Sequence, residues 1–154
     1  IAMINGPMSF KYAVKRQEGF LDTLRKKDIS VRPDWIVSLP EVNYQMAYSA
    51  VCRLLNNEIR PNAFFVISDV FAAAVIRAAK RFDLRIPEDI VVGFDNLDIS
   101  IMTCPTITTV NQPSFQLGYS ACELLLDSIN HPDMFPKSLI LDTELIIRES
   151  SAKI

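Results

Sequence analysis

The residues able to do chemistry gather at four places where a short apolar run gives way to small polar side chains: Asn5-Gly6, Val37 to Pro40, Ser68-Asp69 and Phe94-Asp95-Asn96. Asn, Ser and Asp carry compact donors and acceptors that hold hydroxyl groups by several hydrogen bonds at once. That set suits the binding of a polyol or sugar and is poor in reactive groups. The single histidine, His131, lies in the turn-like Asn130-His131-Pro132-Asp133, so no serine or cysteine beside these runs finds an imidazole base. Four glycines, Gly6, Gly19, Gly93 and Gly118, cannot build a GxGxxG or GxxxxGKS phosphate cradle. Asp69 and Asp95 are a carboxylate pair with acid–base potential, although Asp69 reads equally well as the cap of a following helix. Arg16 falls early in a helix, where a cation opposes the helix dipole. Its guanidinium either stays solvated or forks down to ligand oxygens.

The elements that must position these groups follow from periodicity and turn signals. Ile1 to Asn5 is a short apolar strand stopped by Gly6-Pro7. Ala13, Phe20 and Leu24 then recur near the helical period up to Lys27, and Trp35 to Val37 form a second strand after Pro33. From Asn43, the positions Tyr44, Ala47, Tyr48, Val51, Leu54 and Leu55 make an amphipathic helix. Ala63 to Ile67 is apolar on both faces, as expected of a central parallel strand covered on each side. A helix from Asp69 to about Phe82 turns Val75, Ile76 and Ala79 inward, and Ile90 to Gly93 is a fourth strand. This alternation predicts an α/β fold, an open parallel sheet with helices on both faces and right-handed crossovers. Beyond Asn96 a loop reaches Pro105, a β-branched run covers Thr106 to Val110, and Pro113 opens a helix to Ile129. Strands at Leu139 to Leu141 and Leu145 to Ile147 complete the expectation. The late helix carries two apolar stripes, one of Leu117, Ala121, Leu124 and Leu125 and one of Tyr119, Cys122, Leu126 and Ile129, and so expects burial from two directions.

Composition narrows the function. The chain has 154 residues, 49% of them hydrophobic, and a net charge of −2, which fits a globular domain and gives no basic face for gripping nucleic acid unaided. Cys52, Cys104 and Cys122 are odd in number and widely spaced, which suggests neither a disulfide framework nor a metal motif. No apolar run approaches the ~20 residues of a membrane span, and the start lacks a charged region preceding an apolar one. The expectation is a cytoplasmic protein that needs no cofactor, metal or membrane.

Five segments then occur in a telling order: Ile4-Asn5-Gly6-Pro7, Arg16-Gln17-Glu18-Gly19-Phe20, IPEDIVVGFDN from Ile86, PTITTVNQP from Pro105 and TELIIRES from Thr143. Together they resemble the regulatory core of the lactose/galactose repressor family. The resemblance implies a periplasmic-binding-protein-like, Rossmann-like type I fold with an incomplete first lobe. Residues 1–102 would form the second lobe, 103–137 a partial return through the first, and 138–154 a return to the second, with no helix-turn-helix headpiece. It further implies no enzymatic activity, a small-molecule effector of carbohydrate type, a homodimer, and operator DNA reached only through the headpiece. By position, Arg16 and Asp95 match the family's effector contacts, Ser68 stands where asparagine is frequent, and Tyr44 lies near the place of an aromatic cover. With Asp69 these make the expected ligand site. Tyr48, Phe71, Ile101 and Met102 make the expected dimer interface, and Glu149 replaces a common glycine. The competing reading, an extracytoplasmic sugar-binding protein of a transporter, shares the fold, but PTITTVNQP and TELIIRES favour the regulator.

Overall fold

The computed structural model describes residues 1–133, 135 and 137–152. The first strand, β1 (Ala2–Asn5), is buried along its whole length. A strand buried on both faces belongs inside a parallel sheet, and β1 indeed lies between β2 (Ile36–Ser38) and β3 (Ala63–Val66). With β4 (Ile90–Phe94), β5 (Thr108–Asn111) and β6 (Glu144–Ile146), the order is β2-β1-β3-β4-β5-β6. All neighbours run parallel except β6, which pairs antiparallel with β5 through Val110 and Leu145.

Because the chain steps one way from β1 to β2 and the other way afterwards, right-handed crossovers place α1 (Lys11–Lys26) opposite α2 (Tyr44–Leu55) and α3 (Asp69–Arg81). Asn43 caps α2 by accepting from the Met46 amide, and Ser68 caps α3 by accepting from Val70. The α2–α3 side holds the core: Phe64, Val66 and Val91 point into it and pack with Val51, Leu55, Phe71 and Val75. The opposite side is thinner. There Phe65 stacks on Phe20 of α1 at 5.7 Å between ring centroids and stays half-buried, so the even cover expected for β3 is complete on one face alone.

Several expectations are corrected. Phe71, placed at an interface, is 0% exposed and sits in the core, because α3 is enclosed by the sheet, by α2 and by the short α4 (Ile99–Met102). The region from 103 does not leave the sheet at once, since β5 pairs with β4 through Gly93 and Thr109. Leu139 to Leu141 form no strand; Leu139 lines a groove along α5 (Ser114–Asn130) instead, where Lys137 pairs with Asp127 at 2.6 Å. Residues 134, 136, 153 and 154 of the expected closing segments lie outside the described residues. Helix α5 has its two stripes as expected, but among the described residues it finds little cover: Phe115, Leu125, Leu126 and Ile129 are exposed. Among the described residues no helix is long and apolar enough to cross a membrane.

Candidate functional site

In an open parallel sheet, loops diverge at the strands' carboxyl ends, most of all where strand order reverses. Here the reversal falls between β1 and β3, and a cleft of about 470 Å³ opens there. Its walls are Tyr12, Arg16, Val42, Ile67, Ser68, Val70, Asp95, Leu97 and Gln112. Three of the expected ligand residues, Arg16, Ser68 and Asp95, therefore meet in one place.

Arg16 projects from the second turn of α1. Its Nη1 donates to the Ile67 carbonyl at 2.7 Å and its Nη2 to Asp95 Oδ1 at 3.3 Å. The guanidinium lies over the Phe94 ring at 3.6 Å from the centroid, with Tyr12 at 5.2 Å, so an aromatic face and a carboxylate offset the adverse helix dipole. Arg16 keeps 15% and Asp95 27% of its side chain exposed, which leaves both within reach of a bound molecule.

Asp95 has a left-handed backbone, φ 95°, as does Asn96 at 53°. Such a conformation costs a non-glycine residue about 1–3 kcal/mol and persists only when neighbours enforce it. The Asp95 amide donates to Val110 at 2.9 Å, and its Oδ1 accepts from Gln112 Nε2 at 2.6 Å. Both side-chain bonds fall on Oδ1, so Oδ2 is the acceptor left for a ligand. Ser68 uses a lone pair of Oγ in capping α3, and its O–H stays available to donate.

Two expected site residues stand elsewhere. Asp69 is 0% exposed and absent from the cleft walls. Its Oδ2 accepts from the Leu97 amide at 2.7 Å, and burial holds its carboxyl above the ordinary value against the opposing Thr109 hydroxyl and Leu97 amide. A Cβ on Gly93 would strike Asp69 Oδ1, so glycine is required there to admit the carboxylate. Asp69 thus braces the Asp95 loop, and neither the acid–base pair nor the cap describes it. Tyr44 is also away from the cleft: it packs against the core, with its hydroxyl engaged by Arg77 of α3. Loop residue Val42 lines the cleft in its stead.

Tyr12 and Gln112 are cleft residues that sequence reasoning did not name. Both had a signal: Tyr12 precedes Arg16 by four residues on the same helix face, and Gln112 follows β5 at its carboxyl end. Asn5 lies at the expected edge but is spent internally, its Nδ2 donating to the Ala13 carbonyl and Gln17 Oε1, each at 3.1 Å. Among the described residues no group of three or more His, Cys, Asp or Glu stands close enough to hold a metal ion. Glu149 has a definite task, accepting from the Thr106 amide and hydroxyl at 2.8 and 2.9 Å.

Comparison with known proteins agrees with this fold. Residues 1–151 match the periplasmic binding protein-like domain family. The HTH-type transcriptional repressor CytR of Escherichia coli K12 is 35% identical over 152 residues, covering 98% of this chain and 44% of the repressor. The transcriptional regulator CelR–cellobiose complex superposes with a TM-score of 0.89 at 30% identity, over 97% of this chain and 46% of that one. The lac repressor dimer bound to operator and the anti-inducer ONPF gives 0.87 at 25% identity, over 99% and 52%. The chain spans less than half the length of the curated repressor it matches.

Proposed function

The chain belongs to the periplasmic binding protein-like family, in the form carried by regulators of the lactose/galactose repressor type, and on that premise we propose that it is the effector-sensing and dimerising part of a cytoplasmic transcription regulator. The observation that carries this reading is the Arg16, Asp95 and Gln112 cluster at the carboxyl edge of the sheet. In the cleft walls one cation faces one carboxylate, and no other charged residue joins them. An uncharged ligand rich in hydroxyls gains hydrogen bonds there, whereas an anion meets Asp95 and a cation meets Arg16. That balance supports a carbohydrate effector, with Tyr12, Val42 and Val70 offering apolar walls to its carbon face. Among the described residues the cleft walls pair no nucleophile with a base, which supports binding over catalysis.

Dimerisation is assigned to α4. Ile101 and Met102 are 59% and 75% exposed, adjacent apolar residues that a two-fold partner would cover. Tyr48 is half-buried under Arg77 and Arg81 and contributes at most a margin. DNA contact belongs to a part of the protein outside this chain. The transporter reading has less support, because the relatives described above are regulators.

Calorimetry with cellobiose and D-ribose tests the site. Saturable binding of either by the unaltered chain, weakened by Arg16→Ala by roughly 2–5 kcal/mol as one partner of a desolvated charged pair is lost, is expected. Equal affinity in the variant would remove Arg16 from the site.

A further inference from the structure

The turn that carries Asp95 is held from outside the cleft. The Asn96 amide donates to Thr109 Oγ1 at 3.2 Å and the Leu97 amide to Asp69. Asn96 Nδ2 donates to Asn111 Oδ1 at 3.1 Å, while Asn96 Oδ1 accepts from Arg148 Nη2 at 2.8 Å. The other terminal nitrogen of Arg148 donates to Ser100 Oγ at 3.0 Å and to the Ile107 carbonyl at 2.9 Å. Its backbone amide is fixed by Thr108 Oγ1 at 2.8 Å. One guanidinium therefore ties three separate stretches: the left-handed turn, the buried Ser100 of α4, and the start of β5.

We infer that Arg148 is a positioning residue for the ligand site: by gripping Asn96 and Ser100 together it fixes the left-handed turn that aims Asp95, and it joins that turn rigidly to the α4 surface. The inference rests on the reading of Asp95 as a ligand residue. The three acceptors of the guanidinium, two side-chain oxygens and one backbone carbonyl, are neutral, so each bond is charge-assisted. They are divided between the two terminal nitrogens of one planar fork, a spacing that the single nitrogen of an ammonium does not reproduce. Asn96 is the natural handle, because its positive φ suits asparagine and its amide presents donor and acceptor to opposite sides. The same guanidinium reaches Ser100, one residue before the exposed Ile101, so a displacement of Asp95 is carried to the patch assigned to dimerisation.

Amide hydrogen exchange followed by NMR on the ligand-free chain tests this. In Arg148→Ala, exchange at Asn96 and Leu97 is expected to accelerate about tenfold or more, the loss of one or two net hydrogen bonds. Ile67, bonded to the Ile4 carbonyl at 3.2 Å in the central strands, is expected to stay within about twofold. Arg148→Lys, which keeps the charge and loses the fork, moves Asn96 and Leu97 in the same direction by less. Unchanged exchange at Asn96 and Leu97 in both variants overturns the inference, as does equal acceleration at Ile67, which marks a loss of global stability alone. Because no ligand is added, failure of the sugar-binding reading shows separately, as absent cellobiose and ribose binding by the unaltered chain.

Discussion

Helices α3 and α5 pose the same problem and solve it differently. Each is rich in apolar residues and each follows a strand of the sheet. From Phe71 to Ala79 every residue of α3 except Arg77 is buried, since β3, β4, α2 and α4 surround it. In α5 only Ser120 is buried among the described residues, and Phe115 is 83% exposed. An apolar stripe states that a face requires cover, but not where the cover comes from. For α3 it comes from elements next to it in the chain; for α5 it is not supplied by the described residues.

Three measurements break or sharpen that contrast. The largest effect is expected at α3: Phe71→Ala empties a fully enclosed site and should cost about 3–5 kcal/mol in urea unfolding, and a cost near that of a surface change would place Phe71 outside the core. A smaller, pH-dependent effect belongs to Asp69 at the start of the same helix. Burial raises its folded value above the unfolded one, so between the two the folded state binds more protons and stability falls as pH rises through that interval. Asp69→Asn should lack this decline. Comparing the two proteins isolates it from Asp127 and Glu149, whose lowered values give slopes of opposite sign. Identical pH profiles for variant and parent would show that Asp69 is not titrating in a buried position. The smallest effect is expected at α5, where Phe115→Ala should change stability by no more than about 0.5 kcal/mol; a cost like that of Phe71 would mean that α5 is covered in solution.

How much was legible follows from the same contrast. The strand and helix sequence from Ile1 to Gly93 was readable because the apolar runs have the length or period of one element and are punctuated by Gly, Pro, Asn, Ser or Asp. Ser68 and Asp95 were readable because the carboxyl edge of a parallel sheet is a rule of place, and Arg16 because a cation early in a helix needs compensation and because the family resemblance marks it as a contact. Phe71 was misplaced because α3 is alanine-rich, and alanines mark no stripe from which an enclosed phenylalanine can be told apart. Asp69 was misread because a short acid before a helix looks like a cap, and only the fold shows that Ser68 caps while Asp69 turns inward to Leu97. Gln112 escaped because the run before it was not counted among the strands whose ends form the crevice. The grip of Arg148 on Asn96, 52 residues earlier, has no local signature at all.

That last separation bears on how the molecule is made. Ser150 Oγ donates to the Val91 carbonyl 59 residues back and accepts from the Thr108 amide 42 residues back, so the residues closing the far side of the sheet leave the ribosome well after the strands they tie. Loop closure over such distances is slow, and synthesis proceeds from the amino end. Strands β1 to β4 and helices α1 to α3 can therefore assemble while the turn at Asp95 still lacks its outer anchor. A nascent chain interrupted before Arg148 would have a core but a turn at Asp95 without this anchor, so the cleft is finished only after the segment around Arg148 has been made.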